Sequence, residues 1–193
     1  MPRAETFTLY PQDLPKTVQM NAGVIVDTFD PDTRQIGNIL GATENGFTFK
    51  SNPTYEDFGS DIANIPGPTW QLKRLVRFDP VLSGTFKTVT EDLLNRLNAG
   101  GDFATSGGVV DKRHIIPSHV LTASDFQDVW AIGDYGNTGF IAIHLKSTLN
   151  TIGLQWKTQK DGKGTFDLEL HAHYDLDRPD DVPYEVYVIG DGV

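Results

Sequence analysis

Residues 164–174 read Gly-Thr-Phe-Asp-Leu-Glu-Leu-His-Ala-His-Tyr, and this stretch decides the fold class. Apolar residues occupy every second position, which is the period of a β-strand that buries one face. Short alternating runs of this kind recur along the chain between turn-forming segments, and the chain contains 19 glycines and 11 prolines. At 193 residues it is long enough for one domain with a core and too short for two comfortable ones. We therefore predict a mainly β protein that forms a single domain over residues 1–193.

Charge and cysteine content limit the function classes. The chain has 26 acidic and 16 basic residues and a formal net charge of −10, so a broad nucleic-acid-binding surface is not expected. It has no cysteine, which excludes thiol catalysis, disulfides and cysteine-based zinc sites. No signal peptide or stretch of transmembrane length is recognisable. We expect the protein to stay where it is made, or to leave only as part of something larger.

Local patterns predict roughly ten strands and one helix. Residues 36–40 and 46–51 are predicted to pair around a turn at Glu44-Asn45-Gly46. Residues 69–88 are predicted to form a hairpin that turns at Asp79-Pro80. The period then changes to about 3.6, and Thr88-Val89-Thr90-Glu91 has the pattern of a capping box. This predicts a helix over about residues 89–99, stopped by Gly100-Gly101.

Two segments lack a clear period. Residues 1–20 are predicted to be an N-terminal arm that lies on a neighbour or on its own domain. Residues 52–68 are predicted to be a long loop, and loops of this length in compact domains are usually functional or disordered. The loop needs a surface to cover because it carries four large apolar residues, Tyr55, Phe58, Ile62 and Ile65.

The sequence offers only weak candidates for a catalytic or metal-binding site. His171 and His173 share one strand face and could ligate a metal together with Asp167, Glu169 or Asp175. They also stand where any solvated polar residue would stand, and we favour that structural interpretation. No serine-nucleophile elbow, phosphate-binding loop or calcium-binding loop accompanies the other histidines, glycines and aspartates. We predict no catalytic residue, no metal site and no cofactor, and we expect that the protein is not an enzyme.

Several pieces of the sequence, in this order, resemble the major tail proteins, or tail-tube proteins, of long non-contractile-tailed phages, especially those that infect actinobacteria. The resemblance covers about residues 20–180. Its pieces are Asn21-Ala22-Gly23-Val24 with Phe29-Asp30-Pro31, Gly41-Ala42-Thr43 with Gly46-Phe47-Thr48-Phe49, residues 52–61, Leu72-Lys73-Arg74-Leu75, residues 82–86, and residues 121–130 with Gly133-Asp134-Tyr135.

The resemblance implies a β-sandwich or barrel-like tail-tube fold with one flanking helix. It also implies homo-hexameric rings that stack into a hollow tube, with the 52–68 loop reaching a neighbouring ring. Tape-measure, tail-tip and terminator proteins are the implied partners, and viral DNA would pass through without specific binding. The implied location is the virion tail, assembled in the host bacterial cytoplasm, with no membrane contact. We expect no C-terminal immunoglobulin-like domain.

Two sets of charged residues have expected roles, the first from the cluster of basic residues on one predicted hairpin and the second from the resemblance. Lys73, Arg74 and Arg77 are predicted to form intersubunit salt bridges. Asp167 and Glu169 are predicted to face an acidic lumen that repels DNA phosphates, so that DNA slides without sticking.

Other readings remain open. A tail terminator or the tube protein of a contractile device has a related fold and differs in assembly. A carbohydrate-binding β-sandwich would show a surface row of aromatic side chains. Trp70, Trp130 and Trp156 could supply one, but each lies in an alternating run, so we predict that all three are in the core. A hydrolase on a β-scaffold is the least favoured reading, because no nucleophile–base pair is indicated.

Overall fold

The structure is a computed structural model that describes residues 18–59, 61–65, 67–88, 90–98, 101–106, 112–117, 120–136 and 139–190. Most of the predicted N-terminal arm, residues 1–17, therefore lies outside the described residues. Among the residues described, no helix is long and apolar enough to cross a membrane.

The described chain is mainly β, as predicted, with one α-helix, α1 (Glu91–Leu97). Short 3-10 helices cover Trp70–Leu72 and Ala123–Asp125. The strands are β1 (Gln19–Val26), β2 (Phe29–Asp30), β3 (Gln35–Ile36), β4 (Thr43–Lys50), β5 (Pro53–Asp57), β6 (Lys73–Phe78), β7 (Val81–Phe86), β8 (Gly101–Ser106), β9 (Lys112–Pro117), β10 (Gln127–Tyr135), β11 (Gly139–Asn150), β12 (Gln155–Lys157), β13 (Thr165–Ala172) and β14 (Tyr184–Ile189).

Eight strands form one antiparallel sheet in the order β1-β10-β11-β13-β7-β4, with β12 beside β13 and β14 beside β11. The strand predicted over residues 164–174 lies in the middle of it as β13. Its inward residues Leu168, Leu170 and Ala172 are buried, so the predicted alternation is confirmed. The described residues also form three separate two-stranded ladders, β2–β3, β5–β6 and β8–β9, and two isolated bridges, Val26–Ile39 and Asp175–Arg178.

The sheet curls until its two ends, β1 and β4, lie against each other. A Cβ added to Gly46 would lie 2.7 Å from the carbonyl oxygen of Ala22, so only glycine allows this approach. Both strands change register at this level, and Asn45 and Gly46 have φ angles of 62° and 81°. The prediction of a hairpin turn at Glu44-Asn45-Gly46 was therefore wrong: the left-handed pair forms a bulge inside β4, and such bulges bend strands. The result is a barrel-like fold.

The main core fills the inside of this curved sheet. Ile25, Leu82, Phe86 and Leu145 belong to it and are fully buried. Helix α1 closes one side, since Leu93 and Leu97 are also 0% exposed. The helix is shorter than the predicted 89–99, and its N-cap is Thr90 instead of Thr88. The Leu93 N–H donates to Thr90 Oγ1 at 3.1 Å, and Glu91 and Asp92 occupy the first turn, as the helix dipole favours.

A second apolar cluster lies on the opposite face of β1, β10, β11 and β14. It contains Val26, Phe29, Trp130 and Ala142. The Phe29 ring meets the edge of Trp130 at 5.3 Å between centroids, which is the preferred T-shaped geometry of aromatic pairs. Part of the sheet is thus covered on both faces.

The predicted hairpin over residues 69–88 was wrong. β6 pairs with β5, whereas β7 pairs with β4 and β13. Leu75 is 47% exposed, while Leu82 is fully buried, so the two halves lie in different environments. The 52–68 stretch is likewise not all loop, because residues 53–57 form β5. An alternating pattern predicts a strand but does not identify its partner.

The prediction that all three tryptophans lie in the core was wrong for two of them. Trp130 is 8% exposed, but Trp70 is 83% and Trp156 is 66% exposed. Trp70 lies in a 3-10 helix at the start of β6, and Trp156 lies in the short strand β12.

Candidate assembly surfaces

The most exposed apolar surface is a hairpin that stands apart from the main sheet. We call residues 53–78 the arm; it consists of β5, β6 and the stretch that connects them. Among the described strands, β5 and β6 pair with each other alone. Six large apolar side chains of the arm are about half exposed or more: Tyr55, Phe58, Ile62, Trp70, Leu75 and Val76. Three of the four loop residues predicted from sequence are thus exposed, and Ile65 is half-buried.

The base of the arm is fixed to the body. The Phe78 N–H donates to Tyr174 Oη at 2.9 Å, and the Asp79 N–H donates to the Asn52 carbonyl at 3.2 Å. The ring of Phe78 also meets that of Tyr184 in a T-shaped contact with centroids 5.5 Å apart. The base of the arm is therefore held in a defined position on the body. Tyr55, Leu75 and Val76 lie in its strands, and Phe58, Ile62 and Trp70 lie in the stretch that connects them.

Two of the predicted salt-bridge residues lie over aromatic rings of the arm. Lys73 Nζ is 4.9 Å from the centroid of Tyr55, and Arg74 Cζ is 5.3 Å from that of Phe58. Both are cation–π distances. Among the described residues, neither these two side chains nor Arg77 makes an ion pair within 4 Å. Their charges are available to a partner, which is the arrangement the intersubunit prediction requires.

The two predicted lumen acids lie on the polar face of the β4–β7–β13 region. Asp167 stands opposite Thr85, and Thr85 Oγ1 donates to Asp167 Oδ1 at 2.9 Å. Lys157 Nζ also donates to Asp167, and chiefly through that hydrogen bond the pKa of this carboxyl is held below its usual value. Glu169 Oε1 lies 3.2 Å from His171 Nε2.

Basic side chains accompany the acids on this face. Glu44, which shares a row with Thr85 and Asp167, pairs with Lys87 at 3.0 Å. Asp167 pairs with Lys157, and Glu169 faces His171. The charges of Glu44 and Asp167 are therefore compensated by lysines in the single chain, whereas Glu169 faces a histidine. The assignment of Asp167 and Glu169 to an acidic lumen remains a prediction, and Lys157 is the cation that most directly opposes it.

The two histidines singled out from the sequence, His171 and His173, contact different groups. His171 Nδ1 is 3.2 Å from Asp79 Oδ1, whereas His173 Nδ1 is 3.0 Å from the Ser147 carbonyl oxygen. His173 also packs against the Phe126 ring. Within the described part of the chain, no group of three or more histidine or acidic side chains is arranged to hold a metal ion.

Among the described strands, β14 pairs along one edge alone, and its other backbone edge is open. Its partner is β11, with Glu185 opposite His144 and Tyr187 opposite Ala142. Lys146 N–H donates to the Pro183 carbonyl, so the odd-numbered residues direct their backbone groups to β11. In an antiparallel ladder the alternate residues, Val186 and Val188, then direct theirs outward. Their side chains are 51% and 48% exposed, and open apolar edges of this kind readily pair with another strand.

Sequence reasoning missed a polar network around His144. The His144 ring lies 3.0 Å from Asp128 Oδ2 through Nε2 and 4.0 Å from Glu185 Oε2 through Nδ1. The hydrogen bond from His144 is the main cause that lowers the pKa of Asp128, and that from Lys146 is the main cause for Glu185. No local motif reveals this network, because its residues come from three different strands, β10, β11 and β14.

No family model matches the chain, and no curated protein matches it. The described residues define a barrel-like antiparallel β-protein in which they form one α-helix, an exposed apolar arm and a strand edge that pairs with no other described strand.

Proposed function

We propose that this chain is a structural subunit of a phage tail tube, which forms hexameric rings that stack into a hollow tube for the passage of DNA. The observation that carries the proposal is the arm. It exposes six large apolar side chains on a hairpin that is anchored at its base. Such a surface is stabilised when a partner covers it.

The open edge of β14 supports the proposal independently. A ring with a shared central barrel needs strands that pair between subunits. Within the described part of the chain, the outward backbone groups of Val186 and Val188 pair with no other strand, so they suit that role. Contacts between two different surfaces close into a ring or extend into a filament, according to their geometry. The strand edge and the arm provide two separate contacts: the edge would join subunits within a ring, and the arm would join one ring to the next.

The proposed partners are other copies of the chain, together with tape-measure and tail-tip or terminator proteins. The proposed location is the virion tail, after assembly in the host bacterial cytoplasm. The net charge of −10 favours a tube through which DNA passes without specific binding, because like charges repel. The proposed role is structural and not enzymatic.

Negative-stain electron microscopy over a range of concentrations, with mass measurement in solution, tests this function. Six-fold rings or hollow tubes are expected. Assembly that stops at one ring would favour a tail terminator. A strict monomer at every concentration, also after tail-initiation components are added, would contradict the proposal.

A second candidate, a carbohydrate-binding module, is favoured by one observation. Trp156 is 66% exposed and stacks on Phe166, with ring planes 3° apart and centroids at 6.0 Å. An exposed indole supported from below is a surface on which a sugar ring could stack. A glycan screen with the wild-type protein and Trp156→Ala tests it: binding that the substitution abolishes would support this candidate.

A further inference from the structure

We infer that the arm of one copy docks on the loop of residues 174–181 of a neighbouring copy, through Arg74 and Arg77. We call residues 174–181 the acidic loop. This inference rests on the proposed function and deepens it, because it names the surface that receives the arm.

The acidic loop contains one basic residue, Arg178, which pairs with two of its four carboxylates. The other two carboxylates make no ion pair with a described residue. Arg178 pairs with Asp175 at 3.4 Å and with Asp181 at 3.7 Å. The described residues contain no basic side chain within 4 Å of Asp177 or Asp180, and both residues are exposed. The loop therefore presents two uncompensated negative charges to a partner.

An exposed apolar side chain lies beside these charges. Leu176 is 96% exposed, more than any other large apolar residue in the described chain. The Asp177 N–H donates to Asp175 Oδ1 at 2.9 Å, and a β-bridge joins Asp175 to Arg178, so the backbone around Leu176 is held in a tight turn. The turn fixes an apolar tip next to unpaired acids, and a complementary surface needs an apolar patch next to unpaired cations.

The arm has that arrangement. Thr54 stands opposite Arg77, while Glu56 stands opposite Arg74. The register shifts between Thr54 and Tyr55, so Val76 is the extra residue of a bulge and the side chains of Arg74 and Arg77 fall on the same face. Phe58 lies under Arg74, whose Cζ is 5.3 Å from the ring centroid, and Val76 directly precedes Arg77; both apolar residues are about half exposed. Two guanidinium groups and an apolar patch thus match two carboxylates and Leu176.

Charge complementarity identifies a second copy as the occupant. In a chain of net charge −10, β6 carries three basic residues in six. None of the three makes an ion pair within 4 Å among the described residues, and Glu56 is the acidic residue that stands opposite Arg74. Each copy carries one arm and one acidic loop, so the two surfaces are always present in equal numbers. The contact joins different surfaces and can propagate from copy to copy. Arginine is well suited to it because its guanidinium binds a carboxylate through two parallel hydrogen bonds.

Cysteine pairing tests the contact directly, because the chain has no cysteine of its own. Val76→Cys is introduced in one preparation and Leu176→Cys in another, and the two are mixed under mild oxidation. Disulfide-linked heterodimers are expected to form at least tenfold faster than with Lys160→Cys, an exposed control, in place of Leu176→Cys. Equal rates for the two mixtures would overturn the inference.

Charge reversal tests the same contact without a covalent bond. The double variant Arg74→Glu/Arg77→Glu is expected to raise the concentration needed for self-association at least tenfold, and mixing it with Asp177→Arg/Asp180→Arg is expected to restore mixed assembly. Both variants change exposed residues, and unchanged melting temperatures show that they fold. If the wild type forms tubes, but charge reversal has no effect and no selective cross-link forms, the docking is overturned and the tube proposal stands. Selective cross-linking without rings or tubes supports the docking and contradicts the tube.

Discussion

The indole of Trp130 lies flat on the imidazole of His144, with ring centroids 4.1 Å apart and planes inclined by 5°. The two residues are direct cross-strand partners in β10 and β11. The stack joins the second apolar cluster to the polar network, since Trp130 packs on Phe29 while His144 reaches Asp128. The network is thereby held against a buried ring, so its loss is expected to destabilise this face of the sheet.

The pH dependence of stability tests this network through Asp128. Because the folded-state pKa of Asp128 is lowered, its stabilising contribution is present above its ordinary value of 3.8 and is lost as pH falls through the folded value. Asp128→Asn should cost about 1 kcal/mol at neutral pH, after allowance for its solvent exposure. The variant should also lose less stability than the wild type below about pH 4. Urea unfolding between pH 3 and 7 measures both, with Asp161→Asn as an exposed control.

The helix is expected to be essential for the core. Leu93→Ala removes a fully buried side chain and should lower the free energy of unfolding by about 2–5 kcal/mol. Leu154→Ala is the matched control because Leu154 is 48% exposed, and its effect should stay within about 0.5 kcal/mol. Chemical denaturation measures the two variants. Similar losses for both would contradict the burial of the helix.

The cap of the helix can be tested separately. Thr90→Ala removes the acceptor for the Leu93 N–H and should cost about 1 kcal/mol, whereas Thr90→Ser keeps the hydroxyl and should cost much less. Thermal unfolding of the two variants is the measurement. Equal destabilisation by both would show that the lost methyl contact, and not the cap, is responsible.

Closure of the barrel depends on Gly46. Gly46→Ala should be strongly destabilising, because φ is positive and the new Cβ would lie 2.7 Å from the Ala22 carbonyl oxygen. Gly153→Ala is the control: its φ is +70°, but no atom lies within 4 Å of the added Cβ. The difference between the two variants in urea unfolding isolates the close approach of β1 and β4. No difference would mean that the two strands do not make this contact.

The sequence predicts those parts of the fold that depend on local patterns. The alternation in β13 identifies both its strand and its buried face, and the change of period identifies the helix. Pairing was harder to predict, since the partner of a strand is set by the whole sheet. Asn45 and Gly46 have the left-handed φ angles that a tight hairpin turn requires, but the predicted turn was wrong because the same dihedral angles serve a bulge.

The candidate surfaces show the same limit. Tyr55 and Phe58 were selected because large apolar residues in a loop need a partner, and they are exposed. Trp70 was assigned to the core because it lies in an alternating run of apolar and polar residues. Such a run shows that a strand has an apolar and a polar face, but it does not show whether another part of the protein covers the apolar face. Lys87 lies far from Glu44 in sequence, and Lys157 reaches Asp167 through the register of the neighbouring strands β12 and β13. Charge compensation of the polar face therefore depends on strand pairing, which the sequence alone does not reveal.

Sedimentation velocity of the wild type and of Tyr55→Ser/Phe58→Ser/Val76→Ser, each over a range of concentrations, tests the central claim most directly. The account predicts that the wild type forms ring-sized or longer assemblies, and that the variant remains monomeric with an unchanged melting temperature, because the three side chains are about half exposed. Assembly of the variant at the same concentrations as the wild type would contradict the claim that the arm holds subunits together.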